Sequence, residues 1–215
     1  MAAVLFLIGG GDYRKDELAD INKLVVKSAE IKKMLVIPFA TQKEKRGAWF
    51  DAVRSSFTKI GIHDFDMLSE EDTSGACIDK IKKAGILFLT GGEPALLVGM
   101  IKSKRLETCI SAYDGVIVGI SAGALALCDD CIITKDEDHS NSTIITGLGF
   151  VNFSVDVHYD PANDNDLLSF SKTKEIYALT DKSAIIYGNH QLQFIGDIFL
   201  FKKMNKSRVV PKNEI

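Results

Sequence analysis

The chain has 215 residues, 46% of them hydrophobic, enough to bury one substantial core, and this length favours a single domain spanning 1–215. Lys and Arg (26) nearly balance Asp and Glu (29), giving a formal charge of -3; no broad basic surface is left for a phosphate backbone, so nucleic acid is not an expected partner. Four cysteines (Cys77, Cys109, Cys128 and Cys131) are too few and too scattered for a disulfide framework, which fits a reducing, cytoplasmic setting.

In chain order, "AVLFLI" (3–8) is too short to cross a bilayer and ends at the glycines of "GGGD"; it reads as a buried strand, with no leader and no membrane segment. Leu18, Ile21, Leu24 and Val25 then recur at helical spacing. "KMLVIPF" (33–39) is the next strand, followed by an amphipathic helix over 43–60 carrying Trp49, Val53 and Phe57. "GIHDFDML" (61–68), "AGILFLT" (84–90) and "DGVIVGI" (114–120) continue the strands, with helices over 75–83 and 94–112 between them. Strands apolar on both faces and separated by helices require a parallel sheet covered on both sides, so the expected fold class is a doubly wound, mostly parallel α/β sheet. After residue 130 the pattern changes. "TKDEDHSNST" (134–143) is the most polar stretch and predicts a mobile loop. "AIIYGNHQLQFIGDIFLFKK" (184–203) predicts three short strands with turns at "GN" and "GD", forming an antiparallel edge on the parallel sheet.

Ligands of open α/β sheets bind at the carboxyl ends of the strands, where strand-to-helix loops open a crevice. Three glycine-rich turns fall there: "GGGD" (9–12), "TGGEP" (90–94) and "GISAG" (119–123). In the last, Ser121 sits between an apolar strand and an "AGALAL" helix start, with small neighbours that permit the strained turn of an exposed nucleophile. "GGGDYR" does not complete Gly-x-Gly-x-x-Gly and no Walker lysine follows, so a nucleotide is not expected. "CDDC" (128–131) lacks the second pair a zinc shell needs and reads as two half-buried thiols near a helix end. Neither a metal nor another cofactor is expected.

A serine hydroxyl needs a base near neutrality, and there are four histidines. His63, His139 and His190 occupy places common for surface imidazoles. His158, in "SVDVHYDPANDND", follows a short apolar alternation and precedes a proline turn, which puts it at a strand end facing a loop; it is the candidate base. The acid that orients it stays open among Asp136 and Glu137, after the serine helix, and Asp181, at the end of the strand "IYAL". The N–H groups of Gly92 and Ala122 are the candidate oxyanion donors.

"LTGGEPALLVGMI", "VIVGISAGALALC" and "VDVHYDP", in this order, resemble the peptidase E family of serine peptidases, which includes the cyanophycinases. The resemblance covers most of the chain, most clearly 80–200. It implies a fold similar to class I glutamine amidotransferases, a Ser-His-acid site, and exopeptidase action on short peptides, in the best-known members dipeptides with an N-terminal aspartate. Ser121 matches the nucleophile and His158 the base, while Asp136 and Asp181 match two different placements of the acid. The asparagine that commonly follows the Gly-Gly pair is Glu93 here, and "DPANDNDLLSFSKTKE" contains no arginine where aspartate-specific members supply one. Strict specificity for N-terminal aspartate is therefore not implied, and Glu93 is the candidate to hold a substrate's free ammonium group. The expected partner is a short peptide substrate; a homodimer stays open. The rivals are an amidotransferase-like hydrolase, which normally carries cysteine at the elbow, an esterase of the α/β-hydrolase type, and a binding module that keeps the fold without the reaction.

Overall fold

The computed structural model describes residues 3–209; the ends of the expected 1–215 unit lie outside the described residues. In chain order the elements begin with β1 (Val4–Ile8), α1 (Ala19–Ser28), β2 (Lys33–Ile37), α2 (Lys43–Thr58), β3 (Asp64–Met67) and α3 (Ser74–Lys83). They continue through β4 (Ile86–Leu89), α4 (Pro94–Ser103), α5 (Glu107–Ser111), β5 (Val116–Ile120) and α6 (Ala122–Leu127). The remainder is β6 (Asp130–Ile133), β7 (Thr143–Thr146), β8 (Ser154–Asp156), α7 (Asp164–Phe170), β9 (Ile176–Leu179), β10 (Ala184–Gly188), β11 (Gln191–Ile195), β12 (Ile198–Lys202) and β13 (Asn205–Val209).

A 7-stranded sheet runs in the order β11-β10-β1-β5-β4-β2-β3; its strands β1 to β5 are parallel, and β10 and β11 add an antiparallel edge. Alternate residues of each strand feed opposite faces, as the period of two demands. Phe6, Ile8, Met34, Val36, Phe88 and Val118 pack with Val25 of α1 and Val53 and Phe57 of α2. Leu5, Leu7, Leu35, Leu87 and Ile117 pack with Ile81 of α3, Leu97 and Ile101 of α4, and Leu125 and Leu127 of α6. The expected doubly wound, mostly parallel sheet is thus present, with a helix layer on each face. Each fully buried Leu, Ile or Phe contributes about 1.5–3 kcal/mol relative to exposure.

Two expectations are corrected. The helical stretch 94–112 is two helices, because Arg105 takes a left-handed conformation (φ 55°) and turns the chain between α4 and α5. Of the three strands expected in 184–203, only β10 and β11 join the large sheet. The third, β12, pairs with β9 and β13 in a second, 4-stranded sheet of order β13-β12-β9-β8, because Gly196 (φ 76°) redirects the chain after β11. A separate two-stranded ribbon, β6 with β7, flanks the polar stretch 134–143. Among the described residues no helix is long and apolar enough to cross a membrane.

Candidate active site

The strand order decides which loops meet at Ser121. β5 lies between β1 and β4, with Ile8 opposite Ile120 and Leu89 opposite Gly119. The "GGGD" and "TGGEP" loops therefore leave the sheet on either side of the serine. Ser121 itself takes φ 51° and ψ -117°, a conformation L residues rarely adopt, and it is held there by its N–H bond to the Ile8 carbonyl (2.9 Å) and by the Ala124 and Leu125 N–H groups on its carbonyl. Such a turn lifts Oγ off the backbone at the start of α6.

The partners of the hydroxyl come from the second sheet. β8 and β9 are parallel neighbours with Asp156 opposite Ala178, so the residues that follow each strand emerge at the same end. His158 follows β8 and Asp181 follows β9. Asp181 Oδ1 lies 2.7 Å from His158 Nδ1, and His158 Nε2 lies 3.0 Å from Ser121 Oγ. The glycine loop after β1 knits the two sheets together: His158 N–H donates to the Gly9 carbonyl (3.1 Å), Gly9 N–H to Ser183 (3.0 Å) and Lys182 N–H to Gly10 (2.9 Å). At Gly10 only a hydrogen fits, because a Cβ there would come within 2.1 Å of Asp181 Oδ1 and 2.3 Å of His158 Cε1.

Asp136 sits elsewhere. Its Oδ1 accepts the N–H groups of Asp138 (2.9 Å) and His139 (2.7 Å) and lies 2.9 Å from His139 Nδ1, while His139 Nε2 lies 3.2 Å from Glu93 Oε2. The ring at His158 is thus met by Asp181 and not by Asp136; Glu137 is exposed in the same loop as Asp136. A second acid-imidazole-acid array, Asp136–His139–Glu93, links the 134–143 stretch to the start of α4. Burial disfavours charge on His139, but the hydrogen bonds that its ring N–H groups donate to Glu93 and Asp136 outweigh it and raise the ring's pKa above its usual value. The expected mobile loop is tethered by this array, by Ser142 Oγ–H donating to Asp166 (2.5 Å) and by Asn163 donating to the Lys135 carbonyl (3.0 Å).

Glu93 also caps α4, accepting the Ala95 N–H (3.3 Å), with Pro94 at the first helical position. Gly92 before it has φ 133°, and a Cβ there would strike the Ala40 carbonyl at 2.2 Å. Neither Gly92 nor Ala122 donates its N–H to a backbone carbonyl among the described residues. The glycine turn runs beside the serine, since a Cβ on Gly91 would sit 3.4 Å from Ser121 Cβ. Two features escaped sequence reasoning. His139 passed as a surface imidazole in a polar loop. Trp49 passed as a helix-packing residue, yet a Cβ on Gly91 would meet its ring at 3.1 Å, and it lines a cleft of about 840 Å³ between the Gly11–Glu17 turn and α2, bordered by His158 and Asp181. The expected half-buried thiols are corrected as well: Cys128 and Cys131 are fully buried under α6, and burial raises both, Cys131 to about 12. Among the described residues no group of three or more His, Cys, Asp or Glu is placed to hold a metal ion.

The family model described as Peptidase family S51 matches residues 5–195, a span that contains Ser121, His158 and Asp181. The chain belongs to Peptidase family S51. The peptidase E resemblance read from "TGGEP", "GISAG" and "VDVHYDP" agrees with it. Two solved structures share the fold of this S51 member. A peptidase from an acI-B1 Actinobacterium superposes with a TM-score of 0.79 at 20% identity, over 98% of this chain and 95% of that one. A putative peptidase E protein from Listeria monocytogenes EGD-e gives a TM-score of 0.69 at 19% identity, over 91% of this chain and 98% of that one. None of the curated proteins compared with the sequence matches it.

Proposed function

We propose that this chain is a serine peptidase that hydrolyses short peptides with free N-termini, using Ser121 as nucleophile, His158 as base and Asp181 as the orienting acid. The observation that carries the reading is the continuous line from Asp181 through His158 to Ser121, at 2.7 and 3.0 Å, ending on a serine held at φ 51°. His158 Nε2 takes the hydroxyl proton as Oγ attacks the scissile carbonyl, and Asp181 holds the Nδ1–H and steadies the imidazolium. The N–H groups of Gly92 and Ala122 receive the developing oxyanion. The imidazolium then gives its proton to the leaving amine, and water, deprotonated by the same ring, releases the acyl group.

Glu93 lies on the oxyanion-loop flank of the serine, where its carboxylate would meet the ammonium of the acyl residue. His139 is the cation that occupies it in the free protein when protonated. No arginine follows His158 in 159–174, which supports a preference set by the ammonium group rather than by an acidic side chain.

The test is a fluorophosphonate probe with the adduct located by mass spectrometry, together with turnover of free and N-acetylated dipeptides. Labelling at Ser121 that disappears in His158→Ala, with free dipeptides cleaved at least tenfold better than acetylated ones, is the expected result. Well-folded protein that takes no label would mark a binding module on the same fold. Equal cleavage of the acetylated peptides would remove the role given to Glu93.

A further inference from the structure

The cleft beside the imidazole carries an inference that rests on the peptidase reading above. In that reading His158 hands its proton to the leaving nitrogen, so the leaving residue must lie against the imidazole. The cleft is bordered by His158 and Asp181, whereas Gly92, Ala122 and Glu93 are not part of its wall. It therefore opens against the ring that would protonate the leaving nitrogen, with Trp49 closing it on the side of the Gly91 turn.

Its charges are unevenly committed. Asp12 accepts the Arg14 N–H (2.8 Å) and faces Lys15 at 3.5 Å; Glu17 accepts the Asp12 N–H (3.0 Å) and faces Lys182 at 3.2 Å; Asp181 holds His158. Those hydrogen bonds hold the Glu17 carboxyl below its usual range, so it stays ionised. What the wall offers a ligand is the guanidinium of Arg14 and the ammonium of Lys45, neither of which forms an ion pair among the described residues, with the apolar ring of Trp49 beside them. Two free cations and an indole next to a proton donor suit a small residue that ends in an anion.

We infer that this cleft holds the leaving residue and that Arg14 and Lys45 bind its free carboxylate. Arg14 offers a planar fork that matches a carboxylate, and Lys45 a point charge, so loss of the anion removes charge-assisted contacts from both. A C-terminal amide of the same peptide keeps the shape and loses the charge.

The experiment uses the full chain and needs no added label, because Trp49 is the one tryptophan present. The Ser121→Ala variant is titrated with Gly-Leu and with Gly-Leu amide while the indole emission is followed. Binding of the acid roughly 10–100-fold tighter than the amide is expected. In Ser121→Ala carrying Arg14→Gln and Lys45→Gln, with circular dichroism and melting temperature retained, that ratio should fall toward one. Should the pair of substitutions unfold the protein, the single Lys45→Gln exchange, on the solvent side of α2, gives the same ratio test. Equal affinity for acid and amide, or no acid binding in the millimolar range, overturns the assignment. The ratio of kcat/KM for the same two peptides in the unsubstituted enzyme separates the two readings. Turnover with no preference for the acid sinks the subsite alone, and acid-selective binding without any turnover sinks the peptidase reading and the leaving-residue assignment with it, and leaves a carboxylate-binding cleft.

Discussion

Replacing Asp181 by Asn tests which acid serves the imidazole. The two side chains are about half exposed, 52% for His158 and 57% for Asp181, so their attraction is neither that of bulk water nor that of a dry interior. Opposite charges 4 Å apart gain about 1 kcal/mol in water and about 4 kcal/mol near a protein surface. At 1.36 kcal/mol per decade, losing the carboxylate charge slows the step that forms the imidazolium by roughly fivefold to a thousandfold. The Asn amide can also turn its NH2 toward Nδ1, leaving the proton on the nitrogen that faces Ser121 Oγ; a wrong tautomer of this kind brings the loss in kcat to about 10⁴ at most. We therefore expect kcat to fall about 10²–10⁴-fold with KM little changed, measured as amine release from a dipeptide, and fluorophosphonate inactivation to slow in parallel. Asp136→Asn loosens His139 and Glu93 instead, so its effect belongs mainly in KM. A kcat within fivefold of the parent for Asp181→Asn, or a larger kcat loss for Asp136→Asn, would refute the assignment.

Other perturbations follow from the same geometry. Ser121→Gly should melt about 2–4 °C above Ser121→Ala, since both lose Oγ but only glycine relieves a backbone held at φ 51° and ψ -117°, a strain of order 1 kcal/mol or more; equal melting points would show that the elbow is unstrained. Gly10→Ala should lower kcat at least tenfold with the sheet intact, because its methyl group would overlap Asp181 Oδ1 and His158 Cε1; a fully active variant would mean that the loop yields freely. Asp156, the last residue of β8, is buried, with Oδ1 accepting from Thr134 and Oδ2 without a partner among the described residues, and burial raises its pKa to about 7. The folded state then binds a proton that the unfolded chain releases near its ordinary value, so stability falls as pH rises from about 4 to about 7 and levels off above that. Asp156→Asn should raise the melting temperature more at pH 8 than at pH 5; the opposite order would contradict the burial argument.

The doubly wound sheet was legible because β1, β2, β4 and β5 are apolar on both faces, and only buried parallel strands tolerate that composition. Ser121 and His158 were legible for a local reason, a small-residue elbow after an apolar strand and an imidazole at a strand end. The choice between Asp136 and Asp181 was not, because it depends on β8 and β9 being neighbours in register, a pairing between segments with a helix between them. The fate of β12 was hidden in a similar way. Its apolar run suits a strand of either sheet, and the turn at Gly196 sends it to the interior of the smaller one. His139 was overlooked because its partner Glu93 lies 46 positions away, so no short window contains both.

The hydroxyl and its two helpers belong to different sheets, joined at the triple-glycine turn, and this has a consequence for the newborn protein. A ribosome delivers residue 121 well before it delivers 158, and 181 later still. On the proposed mechanism the growing polypeptide carries an inert alcohol until the smaller sheet has formed and docked, and cutting power waits for a strand that is made about sixty residues after the serine.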